Sequence, residues 1–179
     1  MAGILRVDQA NVDYIYAKTA GGKTYIPGHI IQIQQTVKTD TFSSSSASFV
    51  DITGLSVSIT PVSISSKILV VANIKGQSGS NATTRLMRDS TAIFVGTSSG
   101  SRTVSSGGDL FGYGSPGGAG QIATHFYVDS PATVSSVTYK VQLWAYASYT
   151  AYINTTYNDT DASYSFRGAS SITVMEIAQ

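Results

Sequence analysis

Apolar residues alternating with Ser and Thr constrain this chain more than any other feature. Leu55-Ser56-Val57-Ser58-Ile59-Thr60 shows the pattern most plainly, and Val137-Thr138-Tyr139-Lys140-Val141-Gln142-Leu143 repeats it. Successive side chains of a strand point to opposite faces, so the pattern builds sheets with one oily face and one hydroxyl face. No stretch offers an amphipathic helix of comparable strength. The fold class expected is therefore all-β, an antiparallel β-sandwich. A chain of 179 residues suffices for one such domain plus an appendage, but not for two full domains.

Composition narrows the function classes. Charged residues make up 12% of the chain, about half the usual level, so Ser, Thr, Asn and Gly must keep the surface wet. Low charge with many strands favours edge-to-edge association, which a closed oligomer removes. The eleven Lys and Arg are scattered singly and the net charge is +1, which argues against a nucleic-acid partner. There are no cysteines, hence no disulfides and no Cys-based zinc site. The opening Met1–Asp8 lacks the pattern of a secretion signal, and no apolar run approaches a membrane span. Synthesis in a cytoplasm, with no membrane insertion, is expected.

Strands are expected near Ile30–Val37, Ser48–Ile52, Leu55–Thr60, Lys67–Lys75, Thr83–Arg88, Thr91–Gly96, Gln121–Val128, Val137–Tyr146, Ala151–Thr156 and Ser171–Ala178. Asp89-Ser90 reads as a tight hairpin between two of them. The apolar run Ile68–Ala72 fits a strand buried on both faces, one against the partner sheet and one against a neighbouring subunit. Ser43–Ser46 reads as a solvated loop, and the Gly- and Ser-rich tract Thr97–Gly120 as a long functional or mobile loop. Residues 1–28 read as a separate arm, with a possible strand at Val12–Tyr16 and breaks at Gly21-Gly22 and Pro27-Gly28.

No constellation points to catalysis. Glu176 is the one Glu among ten carboxylates, and Asn158, Asp159 and Asp161 supply too few oxygens for calcium, so an ordinary turn is expected and no metal. His29 and His125 stand far apart, without an adjacent Cys or Asp, and His125, in a strand between Thr124 and Phe126, reads as a packed or inter-subunit residue. The Gly-rich tract lacks the Gly-Lys-Ser/Thr of a phosphate loop. Neither an enzymatic activity nor a cofactor is expected. Tyrosine alone has a functional flavour: Tyr146, Tyr149, Tyr152, Tyr157 and Tyr164 crowd together near Trp144. Such rings stack on sugars, anchor a protein partner, or pack at subunit contacts.

A family resemblance covers residues 30–179. It rests on Gln35–Phe42, Ser48–Pro61, Ser65–Val70, Arg88–Ile93, Asp129–Thr133, Thr138–Val141 and Ser171–Ile177 in that order. Together these resemble the C-terminal domain of many bacteriophage fibre and virion surface proteins. Gly3–Asp8 resembles the opening of phage fibres that attach to a virion by their N-terminal end. The resemblance implies a homotrimeric jelly-roll head similar to tumour necrosis factor and complement heads, residues 29–179, carried on a virion-docking arm, residues 1–28. It implies a non-enzymatic virion protein of a phage, a short tail fibre contacting a host surface glycan, or a capsid decoration (cement) or head-fibre protein. Its partners are then its own copies and tail, baseplate or capsid proteins.

The expected receptor contacts are Tyr146, Tyr149, Tyr152, Tyr157, Tyr164, Phe111 and Tyr113. Those of the trimer interface are Ile172, Val174, Met175 and His125, the last strand packing near the threefold axis. Those of virion docking are Ile4, Leu5, Val7, Tyr14 and Tyr16. The chain lacks the repetitive shaft of a typical fibre, which favours a short appendage or a capsid decoration trimer. A free carbohydrate-binding module is the rival from another class, and a depolymerase the enzymatic one, which would need a carboxylate pair in a cleft.

Overall fold

The structure is a computed structural model describing residues 25–107, 120–146 and 149–179. Among the described residues ten strands form: β1 (Ile30–Lys38), β2 (Phe42–Ser44), β3 (Val50–Ile59), β4 (Lys67–Ser78), β5 (Ala82–Arg88), β6 (Thr91–Ile93), β7 (Gln121–Asp129), β8 (Val137–Ala145), β9 (Ala151–Ile153) and β10 (Ser170–Ile177). The described residues contain no helix, and so none long and apolar enough to cross a membrane.

The strands pair antiparallel in two sheets. Sheet A runs β1-β10-β4-β7, and sheet B runs β3-β8-β5-β6. Four strands facing four in this order make the jelly roll, two Greek keys wound into a sandwich. Two short strands extend sheet A: β9 pairs with the end of β4 on the side β10 occupies, and β2 pairs with β9. Hence β1 and β2 are two pieces of one strand, and β9 and β10 two pieces of its neighbour. The second is interrupted by the excursion 154–169.

Period-two alternation places the core. Leu55, Val57 and Ile59 of β3 and Tyr139, Val141 and Leu143 of β8 face Ile68, Val70, Ala72 and Ile74 of β4 and Ile172 and Val174 of β10. Tyr139 is fully buried, donating its hydroxyl to Asp129 at 2.7 Å, and Arg88 pairs with the same carboxylate at 2.9 Å. Burial and the adjacent carboxylate both push the Tyr139 phenol far above its ordinary range.

Several strand boundaries differ from expectation. Ser48–Ile52 and Leu55–Thr60 are one strand, β3, whose register shifts between Asp51 and Ser56 around Gly54, where φ is +80°. Thr91–Gly96 ends at Ile93 because Phe94 takes φ 52°, and Ala151–Thr156 ends at Ile153 because Asn154 takes φ 61°. The expected Ser43–Ser46 loop instead contributes Ser43 and Ser44 to β2. Asp89 and Ser90 form a two-residue turn, Asp89 having φ 51°. Val12–Tyr16 lies outside the described residues.

The sandwich has two distinct poles. One holds Tyr25–His29, the 60–66 and 130–136 connections and the C-terminus, where Gly28 N donates to the Ala178 carbonyl. The other holds the turn at 79–81, Tyr146, Tyr149 and the residues leading into 154–169.

Candidate functional site

The outward faces of the two sheets have opposite chemistry. Facing away from the core on sheet A, Ile33, Met175, Leu69 and Val128 form one cross-strand row, and Gln35, Thr173, Val71 and Phe126 the next. Ile122 and Phe126 are each 62% exposed, Ile33 55% and Val37 54%. Polar side chains on this face satisfy one another: Gln35 Nε2 donates to Thr173 Oγ1 at 2.8 Å, and Thr124 Oγ1 to Asn73 Oδ1 at 2.9 Å. The two lysines of β4 on this face stand near its ends and turn aside. Lys67 Nζ donates to Ser130 Oγ and Lys75 Nζ to the Gly120 carbonyl. The face is thus largely apolar, with several polar groups already paired, which lowers the cost of removing it from water.

Sheet B turns a linked polar ladder outward. Arg85 stacks its guanidinium over the Phe49 ring at 3.9 Å and donates to Gln142 Oε1. Gln142 Nε2 donates to Asp51 Oδ1, and Lys140 Nζ to Asp51 Oδ2, both at 2.7 Å. Burial tends to raise the Asp51 carboxyl pKa, but the Lys140 and Gln142 bonds outweigh it and hold the group below its ordinary value. This face needs no cover.

Aromatic side chains gather at the pole away from Tyr25 and the C-terminus. Trp144 and Tyr146 lie 6.2 Å apart, and Tyr149 N donates to the Tyr146 carbonyl, forming one group. Tyr152 and Tyr157 meet edge to face at 5.6 Å, forming a second, with Tyr157 held by a bond from its N–H to Gln77 Oε1. The turn at 79–81 lies between them: Asn81 O accepts from Tyr146 N, and the Tyr157 ring would lie 2.9 Å from any Cβ added at Gly79.

Of the expected receptor-contact residues, Tyr146, Tyr149, Tyr157 and Tyr164 are exposed and Tyr152 is half-buried. The structure brings the first two together and pairs Tyr152 with Tyr157, while Tyr164 has no ring partner among the described residues. Phe111, Tyr113 and the docking candidates Ile4, Leu5, Val7, Tyr14 and Tyr16 lie outside the described residues.

Among the trimer-interface candidates, the sidedness of β10 requires a correction. Ile172 and Val174 are fully buried in the chain's own core, and His125 is 1% exposed between the sheets, so none lies on a surface another copy can reach. Met175 alone of the four faces outward. The register of sheet A adds Phe126, Val128, Ile122, Leu69 and Val71 to that surface. The run Ile68–Ala72 likewise divides, with Ile68, Val70 and Ala72 inward and Leu69 and Val71 half-covered outside.

Asp159 is fully engaged within its own loop, accepting from Thr155 Oγ1 and from Arg167 Nη2, each at 2.6 Å. Among the described residues, no three His, Cys, Asp or Glu side chains gather as metal ligands would.

No protein-family model and no curated protein matches the chain. Among solved structures it is similar to the infectious bursal disease virus VP2 subviral particle, at 10% identity and a TM-score of 0.38. It is also similar to the infectious bursal disease virus Gx strain structure, at 13% identity and a TM-score of 0.37. Each alignment covers 84% of this chain, which spans only 39% of the length of its neighbour.

Proposed function

We propose that this chain is a non-enzymatic structural protein of a phage virion that assembles as a homotrimer through the outer face of sheet A. The observation that carries the reading is the contrast between the two outward faces. One sheet shows water a satisfied ladder of charges, while the other shows it rows of Ile, Val, Leu, Met and Phe. Patches of that kind mark association surfaces. Each half-exposed apolar side chain removed from water contributes about 1 kcal/mol, and closed symmetry repeats the contribution at every interface.

Polarity along the sandwich supports the rest of the reading. Tyr25–Gly28 lie at the pole holding the C-terminus, and we assign the segment 1–28 to docking on the particle. The aromatic pole points the other way, as a short tail fibre presenting Tyr146 and Tyr149 to a host surface requires.

Two measurements test the proposal. Light scattering on the purified chain should give the mass of three chains, and a monomer at micromolar concentration overturns the trimer. Cryo-electron microscopy of intact particles should place threefold density at the tail or baseplate. Density over the capsid lattice makes the chain a decoration or head-fibre protein, and absence from the particle ends both versions.

A further inference from the structure

We infer that a pocket at the aromatic pole binds a saccharide unit carrying a carboxylate, with Trp144 as its stacking wall and Arg102 as its anion clamp. The inference deepens the display reading above by naming the class of surface ligand. The pocket has a volume of about 280 Å³, near the lower limit of ligand sites and suited to a single sugar ring. Its walls come from the start of β5, the end of β8 and the segment after β6, including Asn81, Arg102, Thr103 and Trp144. Pairing of Thr83 with Trp144 across β5 and β8 fixes two of these walls to each other.

Each wall has a chemical role. Trp144 Nε1 donates to the Ala47 carbonyl at 2.7 Å, which locks the indole plane before any ligand arrives. A half-buried, immobilised indole offers its face to the C–H side of a sugar ring. Among the described residues, Arg102 is the one charged residue lining the pocket. Its Nη1 bonds Ser99, and among the described residues no carboxylate pairs with it. The rest of the guanidinium fork is left for a planar anion, which it recognises in bidentate fashion. Asn81 is held through its backbone carbonyl by Tyr146 N, so its exposed side-chain amide is placed to bond sugar hydroxyls. A bare phosphate or sulfate would use Arg102 but leave the indole face empty.

Trp144 is the only tryptophan in the chain, so intrinsic fluorescence reads the pocket directly. The probes are glucuronic, galacturonic and N-acetylneuraminic acids, with glucose, galactose and inorganic phosphate as comparisons. The expected result is a saturable fluorescence change with at least one acid sugar and none with the neutral sugars. Arg102→Gln should weaken it by about tenfold or more, since a charge-assisted bond contributes about 1.5–3 kcal/mol.

Silence towards all three acids overturns the inference, as does an undiminished response in R102Q or an equal response to phosphate. Light scattering on the same samples separates this outcome from the assembly reading. A trimer that ignores acid sugars removes the site and leaves the assembly, whereas a monomer that binds them does the reverse.

Discussion

Ser170 donates its hydroxyl to Asn154 Oδ1 at 2.6 Å, and this contact closes the base of the 154–169 excursion. The same hydroxyl accepts from Lys75 N at 3.0 Å, while Asn154 N donates to Lys75 O at 2.9 Å, so β4 stays satisfied where its neighbour strand is broken. Asn154 Nδ2 then reaches the carbonyls of Lys38 and Asp40, between β1 and β2. One buried amide thus ties the interruptions of two adjacent strands together. Asn is suited to the site because it tolerates the left-handed φ of 61° and offers both donors and an acceptor.

Asn154→Ala should therefore destabilise the chain by about 3 kcal/mol, since it orphans the buried Lys38 carbonyl and the Ser170 hydroxyl and removes the bond to the Asp40 carbonyl. Ser170→Ala should cost about 1–2 kcal/mol. Urea unfolding of the two single variants and the double variant measures their coupling. Strict additivity would show that the two side chains do not act as one unit.

Phe126→Asp should convert the proposed trimer to monomers without altering the sandwich. The ring stands on the outer face of sheet A, where a carboxylate costs nothing in the lone chain but is desolvated in an assembly. A buried unpaired charge costs several kcal/mol, so association should weaken on the order of a hundredfold or more. Ser58→Asp, on the exposed polar face of sheet B, is the control and should leave the mass unchanged. Light scattering with near-UV circular dichroism reads both, and an F126D protein that keeps the parent mass would remove this face from the interface.

The corrected sidedness of β10 has its own test. Ile172→Ala empties a fully buried core position and should cost about 2–5 kcal/mol of stability while the folded fraction keeps its oligomeric mass. Met175→Asp should do the opposite, with little change in stability of the isolated chain and loss of assembly. Denaturant midpoints and masses for the pair separate the two roles. If I172A dissociates without losing stability, the inward assignment is wrong.

The all-β sandwich was legible because Leu55–Thr60 and Val137–Leu143 carry a clean period of two, and a period that short admits only a strand. Sidedness was not legible in β4 and β10, because Ile68–Ala72 and Ile172–Met175 place apolar or β-branched residues on both faces. Parity then says which residues go together but not which set meets the core. The short strand β2 was hidden for a different reason: it has a single apolar residue, and it exists because the buried Asn154 holds the chain beside β9. The tyrosine cluster was visible as composition, yet the convergence of Trp144 and Arg102 on one pocket was not. Those residues stand far apart in sequence and line one pocket only because the segment after β6 runs beside the start of β5 and the end of β8.

His125 supplies a prediction in pH. Its ring is buried between the sheets, Nε2 lies 2.7 Å from Thr84 Oγ1, Nδ1 has no hydrogen-bond partner among the described residues, and Phe94 meets it edge to face. Burial pushes its pKa down from 6.5 to about 4, opposed only in part by the Ser106 backbone. A lowered folded-state pKa means the unfolded chain binds the proton first as pH falls. This contribution to stability is therefore full above pH 6.5, declines by up to about 1.4 kcal/mol per pH unit, and is exhausted near pH 4 at about 3 kcal/mol. Carboxylates add their own slopes lower in the range, so the comparison is with His125→Gln. Urea midpoints across this window should fall more steeply for the parent than for H125Q, whatever the variant's stability at neutral pH. Parallel curves would mean that His125 takes up its proton in the folded chain as readily as in the unfolded one.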